Sequence, residues 1–117
     1  MDKIIEKAIS IYKEGLDYVI ELSSLRIVWA SDKTIQESGY SREKFLKMRI
    51  PDIVPPEEIE KFKKDLSERL IKKQGTAWFI RQVNNNKKVR VLIDYQIFDH
   101  DGNSWMAAKI LDADHLN

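Results

Sequence analysis

Two carboxylates are the side chains of this sequence that are best placed for acid–base chemistry. Glu21 and Asp94 both fall within predicted β-strands, so they could meet across a sheet as general acid and general base. A solvated or lysine-paired carboxylate explains each more simply, because acidic residues are seldom buried without a partner. The sequence has no serine–histidine nucleophile motif, no glycine-rich phosphate loop and no histidine pair at helical metal spacing. We therefore expect a non-catalytic chain, with a small cone-shaped α+β enzyme that uses a buried carboxylate as the alternative.

The two histidines are not arranged as metal ligands. His100 lies in an Asp-His-Asp-Gly turn that favours a solvated loop, and His115 is near the end of the sequence. Residues 99–103 begin like a calcium-binding loop. Such a loop needs glycine at its sixth position and glutamate at its twelfth, where this chain has Ser104 and Ile110. We expect no metal site.

The absence of cysteine excludes every site that depends on a thiol. Without a thiol the chain has no disulfide, no thiolate metal site and no cysteine nucleophile, which is typical of a reducing compartment. The first residues carry charges and lack the apolar core of a signal peptide. No window approaches the roughly 18 uncharged apolar residues that span a bilayer. We expect a cytoplasmic protein without membrane insertion.

Length and charge indicate one ordinary globular domain. The chain has 117 residues, of which 43% are hydrophobic and 33% are charged. The formal net charge is +1, with acidic and basic residues interleaved. Because no broad positive field results, we expect no nucleic-acid partner.

The pattern of apolar residues predicts a helix, two strands, a helical block and three further strands. Residues 4–16 have the helical period of an amphipathic helix, with Gly15 as its C-terminal cap. The helical block is predicted to begin at Asp32, to restart at Ser41 and to continue in a long helix from Pro55 to Gly75. The predicted strands cover residues 17–22, 26–30, 76–83, 88–98 and 104–111.

Both faces of the predicted sheet carry apolar side chains. A sheet with one solvated face alternates more cleanly between apolar and polar residues. The central helices can cover one face only, so the N-terminal helix, a partner chain or both must cover the other. The stripe of Ile5, Ile9 and Tyr12 on that helix is the predicted interface of a homodimer.

Several short motifs occur in an order that is known from one family. Residues 37–46, Glu-Ser-Gly-Tyr-Ser-Arg-Glu-Lys-Phe-Leu, resemble the signature of the PAS domain, or sensory box. The predicted hairpin at 17–31, the segment 52–57 and the closing Asp112-Ala113-Asp114 are similar to further PAS segments. The resemblance covers residues 16–114. It implies an α+β fold, in which a PAS-like five-stranded antiparallel sheet has central helices on one face and an N-terminal amphipathic helix.

The resemblance also implies a division of the chain and a function. Residues 1–15 form a capping helix, 16–114 form the PAS domain and 115–117 form a tail. PAS domains are sensor modules for signal transduction, so this one is expected to act through dimerisation or partner contacts. Its expected context is a larger bacterial-type signalling protein with a kinase, cyclase or regulator as the output domain, and Asp112 marks the signal-output end.

In such a fold a pocket lies between the sheet and the central helices. The pocket-lining candidates are Trp29, Phe45, Phe62, Trp78, Ile80, Ile93, Tyr95 and Met106. We favour the interpretation that they simply pack the core, because apolar pockets and apolar cores look alike in sequence. A sensor of a small metabolite or of a non-covalent cofactor is the alternative.

The best-known PAS cofactors can be tested by residue type. A covalent cysteine-linked flavin or chromophore is excluded, because the chain has no cysteine. Haem-binding relatives carry an axial histidine on the long helix, and residues 57–74 contain none, which disfavours a histidine-ligated haem. Non-covalent flavin, haem with another ligand and a small metabolite stay open, so the cofactor is unknown.

Overall fold

The backbone forms one five-stranded antiparallel sheet with helices on both faces. A computed structural model describes residues 2–116. The helices are α1 (Lys3–Ile11), α2 (Asp32–Ser38), α3 (Arg42–Phe45) and α4 (Ile59–Lys72). The strands are β1 (Tyr18–Glu21), β2 (Arg26–Ala30), β3 (Gln74–Gln82), β4 (Lys88–His100) and β5 (Asn103–His115). Their order in the sheet is β2-β1-β5-β4-β3, and this confirms the predicted α+β fold.

Serine side chains begin the two short helices. The Ser31 hydroxyl accepts a hydrogen bond from the Thr34 amide at 3.1 Å, so the cap of α2 lies one residue before the predicted Asp32. The Ser41 hydroxyl caps α3 in the same way, as predicted. Gly39 ends α2 with a φ of 75°, a left-handed conformation that favours glycine.

Asp17 ties the start of β1 to two other parts of the fold. Its buried carboxylate accepts hydrogen bonds from the hydroxyls of Ser31 at 2.9 Å and Thr34 at 3.3 Å. The carboxylate also accepts from the Ile110 amide on β5 at 2.8 Å. On the main chain, the Asp17 amide donates to the Ala108 carbonyl at 2.9 Å. One side chain therefore fixes β1, β5 and the start of α2 together.

The last strands are longer than the sequence pattern predicted. β4 and β5 each contain 13 residues and pair antiparallel along most of their length. Their pairing extends to Val89 opposite His115, so His115 lies in a strand instead of a loose tail. The segment Asp112-Ala113-Asp114, predicted to follow the last strand, lies within β5. The error arose because polar residues on a solvated strand end resemble a loop in sequence.

Two apolar clusters cover the two faces of the sheet. The larger one lies between the sheet and α2–α4, which we call the inner face. On the outer face, Ile5 and Ala8 of α1 pack against Val19 of β1 and Ala107 of β5. α1 ends at Ile11, earlier than predicted from Gly15. None of the helices within residues 2–116 is long and apolar enough to cross a bilayer.

The position of α1 changes the expected dimer interface. Ile5 is only 8% exposed, because it packs on its own sheet. The Tyr12 hydroxyl donates to the Asp94 carboxylate at 3.2 Å, and burial together with Asp94 raises the pKa of Tyr12. Ile9 is 36% exposed and alone points away from the sheet. Ile5 and Tyr12 therefore make contacts within their own domain, and the role of Ile5, Ile9 and Tyr12 as a homodimer interface stays a prediction.

The Asp17 contacts predict a large loss of stability in Asp17→Asn. The amide keeps one acceptor oxygen, and its NH₂ group meets donors that previously met a carboxylate. We expect the free energy of unfolding in urea to fall by about 2–3 kcal/mol. Asp32→Asn is the matched control, since its side chain is fully exposed and its ion pair with Arg42 is worth less than about 1 kcal/mol. Equal losses in the two variants would contradict the structural role of Asp17.

Candidate functional site

A small, partly enclosed cavity lies in the inner core, between the sheet and α4. Its volume is about 20 Å³. It is lined by Tyr18, Ile20, Leu22, Leu25, Ile50, Phe62, Leu66, Arg69, Phe79, Ile93, Met106 and Ala108. The space suits about one water molecule, whereas pockets for drug-sized ligands usually measure roughly 300–1,000 Å³. In this conformation the interior has no room for a flavin or a haem.

Three of the predicted pocket residues line this cavity. They are Phe62 of α4, Ile93 of β4 and Met106 of β5. Phe45 and Tyr95 belong to the same core but do not line the cavity. Whether any of the five binds a ligand stays a prediction.

The other three predicted residues do not line the cavity. β3 pairs with β4 so that Phe79 lies opposite Val91, and both of these belong to the inner core. Trp78 and Ile80 alternate with Phe79, so they do not face the core. Trp29 belongs to the outer cluster beneath α1. The sequence could not predict this, because a one-residue change of register exchanges the two faces of a strand.

Arg69 of α4 is the charged residue of the cavity. It is 3% exposed, and its guanidinium lies over three aromatic rings. The distances from Cζ to the ring centroids are 5.8 Å for Phe62, 6.0 Å for Phe79 and 5.8 Å for Tyr95. These cation–π contacts partly offset the cost of burying the charge.

The Arg69 guanidinium nevertheless lacks a carboxylate partner among residues 2–116. Its Nε and Nη2 atoms are buried and make no hydrogen bond within the described chain. Asp65, one turn earlier on α4, pairs with Lys61 at 3.0 Å instead. Burial lowers the pKa of Arg69 from its ordinary value, and the negative charge of Asp65 opposes that shift. Buried polar groups are normally satisfied, so this side chain needs an explanation.

Arg69 also forms part of the wall between the cavity and the solvent. An open groove of about 280 Å³ runs between α4 and β3, and Arg69 lines both the groove and the cavity. Lys61, Asp65, Glu68 and Lys72 make the groove polar. A rotation of one side chain would therefore connect an apolar interior with a polar surface groove.

A second buried arginine has partners for two of its three nitrogens, Nη1 and Nη2, while its Nε is buried without one. Arg81 of β3 is also 3% exposed, and its guanidinium donates a hydrogen bond to the Tyr18 hydroxyl. It also pairs with the Glu37 carboxylate at 3.4 Å. Burial raises the pKa of Tyr18, while Arg81 acts in the opposite direction. Arg81 thus connects β3, β1 and α2, which accounts for its burial.

The acidic pair considered for catalysis does not meet. Glu21 lies opposite Trp105 of β5, whereas Asp94 lies opposite Lys109, four residues farther along that strand. Glu21 accepts a hydrogen bond from the Ser24 hydroxyl, and Asp94 accepts from Tyr12. At about 3.4 Å per residue the separation is too large for a shared proton. Within residues 2–116, no cluster of three acidic or histidine side chains could hold a metal ion.

Arg69 was missed at the sequence level, although its spacing marks it. It lies seven residues after Phe62 and three after Leu66, and these positions share one helical face. The pattern instead assigned Leu70 to the buried face, and Leu70 is 39% exposed. A charged residue on a predicted apolar stripe was the available signal.

Comparison with known proteins shows which fold this is. Neither a family model nor a curated protein sequence matches the chain. Among solved structures, the PAS domain of a two-component sensor histidine kinase has a TM-score of 0.71 at 14% identity, covering 96% of each chain. The PAS domain of a Desulfitobacterium hafniense protein has a TM-score of 0.72 at 17% identity, covering 85% of this chain and 92% of that one. The PAS domain of the fruit-fly ELK potassium channel has a TM-score of 0.68 at 14% identity, covering 94% of this chain and 98% of that one. At these identities the agreement shows a common fold.

The two buried arginines predict opposite effects on stability. Arg81→Met leaves the buried Tyr18 hydroxyl unpaired, so we expect the free energy of unfolding to fall by about 2–3 kcal/mol. Arg69→Met replaces an unpaired buried charge by an apolar side chain that still contacts the rings. We therefore expect its free energy of unfolding to lie within about 1 kcal/mol of that of the parent chain, or above it. Urea denaturation monitored by circular dichroism measures both. A loss in Arg69→Met as large as in Arg81→Met would show that Arg69 has a partner.

Proposed function

Because this chain has the PAS fold, we propose that it is a non-catalytic sensor module that transmits a signal through contacts with other proteins. The structural neighbours support this proposal, since they include domains of a sensor histidine kinase and of an ion channel. The observation that carries it is a half of the outer sheet face that α1 leaves open. We place the protein in the cytoplasm, in keeping with its lack of cysteine.

We call this region the open half-face and define it by Trp78, Ile80, Leu92 and Leu111. Trp78 is 39% exposed and Leu111 is 47% exposed. Leu92 and Asp94 are two residues apart on β4 and therefore share a face, and Asp94 receives the hydrogen bond from Tyr12 near the end of α1. The cover provided by α1 thus ends beside Leu92. Beyond that point Trp78 and Leu111 are exposed and Leu92 and Ile80 are half-buried, and Trp78 and Ile80 also border the open groove along α4.

The polar groups around the open half-face suit a second copy of this chain. Arg90 lies over the Trp78 ring at 4.8 Å and pairs with Asp114 at 2.9 Å. Tryptophan and arginine are the residue types that contribute most to protein interfaces. In a two-fold dimer each Arg90 could exchange Asp114 for that of the other copy, because such interfaces are self-complementary. The homodimer contact therefore moves from α1 to the open half-face.

The predicted signal-output end lies at the same surface. Asp112 of β5 is the register partner of Leu92, and the backbone register shifts between Leu92 and Ile93. A change in packing on the open half-face would act directly on this part of β5. An output domain such as a kinase, cyclase or regulator is the partner proposed to respond.

A second candidate function is the sensing of a small molecule in the interior. The unpaired guanidinium of Arg69 at the cavity favours it specifically. The volume of about 20 Å³ restricts this candidate to a small ligand that opens the cavity further. No role in binding nucleic acid or in membrane insertion is proposed.

Sedimentation velocity over a concentration series tests the contact surface. We expect the parent chain to dimerise and Trp78→Lys to weaken the dimer by at least tenfold, since the lysine places a charge in the apolar centre. Ile71→Lys is the matched control, because Ile71 is 82% exposed on α4 and lies outside the open half-face. A parent chain that stays monomeric, or an equal effect of both substitutions, would contradict this assignment.

A further inference from the structure

The two unpaired nitrogens of Arg69 form one recognisable donor pair. Nε–H and the adjacent N–H of Nη2 point in parallel from one side of a guanidinium, and this side binds a carboxylate with two hydrogen bonds. Both atoms are buried without a partner in the described chain. This donor pair matches one planar anion with two oxygen acceptors, because each N–H then has its own acceptor.

The surroundings define the rest of the ligand. Apart from Arg69, the cavity is lined almost wholly by aliphatic and aromatic side chains, among them Ile20, Leu66 and Met106. No second cationic side chain lines it, so one negative charge balances the site. A phosphate or a dicarboxylate would bring charge that these walls cannot pair. The lining therefore matches an apolar body with one carboxylate in its chemistry, and the cavity must open beyond its volume of about 20 Å³ to hold one.

A ligand could reach the cavity from the surface grooves at the position of Arg69. Arg69, Phe62 and Phe79 separate the cavity from the open grooves along α4 and β3. The guanidinium is held by ring contacts alone, without a hydrogen bond from Nε or Nη2. Unbranched Met106 and the Arg69 stem have several rotatable bonds, and a change of their rotamers would enlarge the cavity.

We propose that Arg69 and the inner cavity form a gated binding site for a small monocarboxylate with an apolar body. The carboxylate pairs with Nε and Nη2, and the apolar body occupies the cavity between β1, β5 and α4. This inference rests on the proposed sensor function, for which the ligand would be the stimulus.

Hexanoate is the probe, with hexanamide as its neutral counterpart of similar shape. The full chain, labelled with ¹⁵N, is titrated with each compound while the Nε–H resonances of arginine are followed by NMR. We expect saturable shifts of the Arg69 resonance with hexanoate and binding at least tenfold weaker with hexanamide, because hydrogen bonds to a charged group are the stronger ones. Chloride at equal ionic strength controls for a general salt effect.

Two arginine variants locate the site. Arg69→Met is expected to weaken hexanoate binding at least tenfold while the chain keeps its circular dichroism spectrum. Arg69→Lys, which retains the charge without the parallel donors, should also bind more weakly than the parent. Arg90→Met is the matched control, since Arg90 is likewise stacked on an aromatic ring but lies outside the cavity. If Arg69→Met does not fold, the change in the Nε–H resonance of Arg69 in the parent chain on addition of hexanoate tests whether the carboxylate binds at Arg69.

The outcomes separate this inference from the proposed function. Absence of saturable shifts in the folded parent chain overturns the monocarboxylate site and leaves the sedimentation test of the open half-face unaffected. Loss of binding in Arg90→Met but not in Arg69→Met would place the anion beside Arg90, outside the cavity. This result would also overturn the monocarboxylate site. Hexanoate binding by a chain that stays monomeric would support the site and contradict the dimer.

Discussion

The hydrogen bonds of Asp17 are the constraint on which the arrangement of the sheet depends. β1 has only four residues, yet it is central in the sheet and must hold β2 on one side and β5 on the other. Asp17 supplies what so short a strand lacks, because its carboxylate binds the start of α2 and the Ile110 amide at once. The inner core, the cavity and the path of the chain into the helical block all follow from this junction.

A second constraint is that the sheet is apolar on both faces, which a chain of this size can satisfy only in part. The central helices cover the inner face, and α1 covers the outer face over β1 and the first half of β5. With nine residues, α1 is about 14 Å long, whereas a 13-residue strand extends over about 44 Å. The uncovered remainder is the open half-face. A helix of this length cannot cover the whole outer face of such strands.

The sequence predicted the order of elements well and the facing of side chains poorly. Strong local signals, such as the Ser41 cap of α3, depend on neighbouring residues and were readable, whereas the cap of α2 was misplaced by one residue. The facing of Trp78 and Ile80 depends on the register between β3 and β4, which is set by a turn through Asn84–Asn86 with two residues at positive φ. Trp29 was assigned to the wrong face for a related reason, since the pairing of β1 with β2 shifts between Val19 and Ile20. Arg69 was missed because an arginine on a helix is usually a surface residue, and only its position on the face of Phe62 and Leu66 indicated burial.

The cavity and the open half-face are two sides of the same pair of strands. On β3, Phe79 lines the cavity while the adjacent Trp78 lies on the open half-face. On β4, Ile93 lines the cavity and the adjacent Leu92 lies on the open half-face, at the point where the register shifts. A closely packed interior has little free space, so a displaced side chain displaces its neighbours. An occupant of the cavity would therefore move β3 and β4 and change the positions of their outer side chains. The proposed interior site and the proposed contact surface therefore need no connecting pathway, since adjacent residues of β3 and β4 belong to the two.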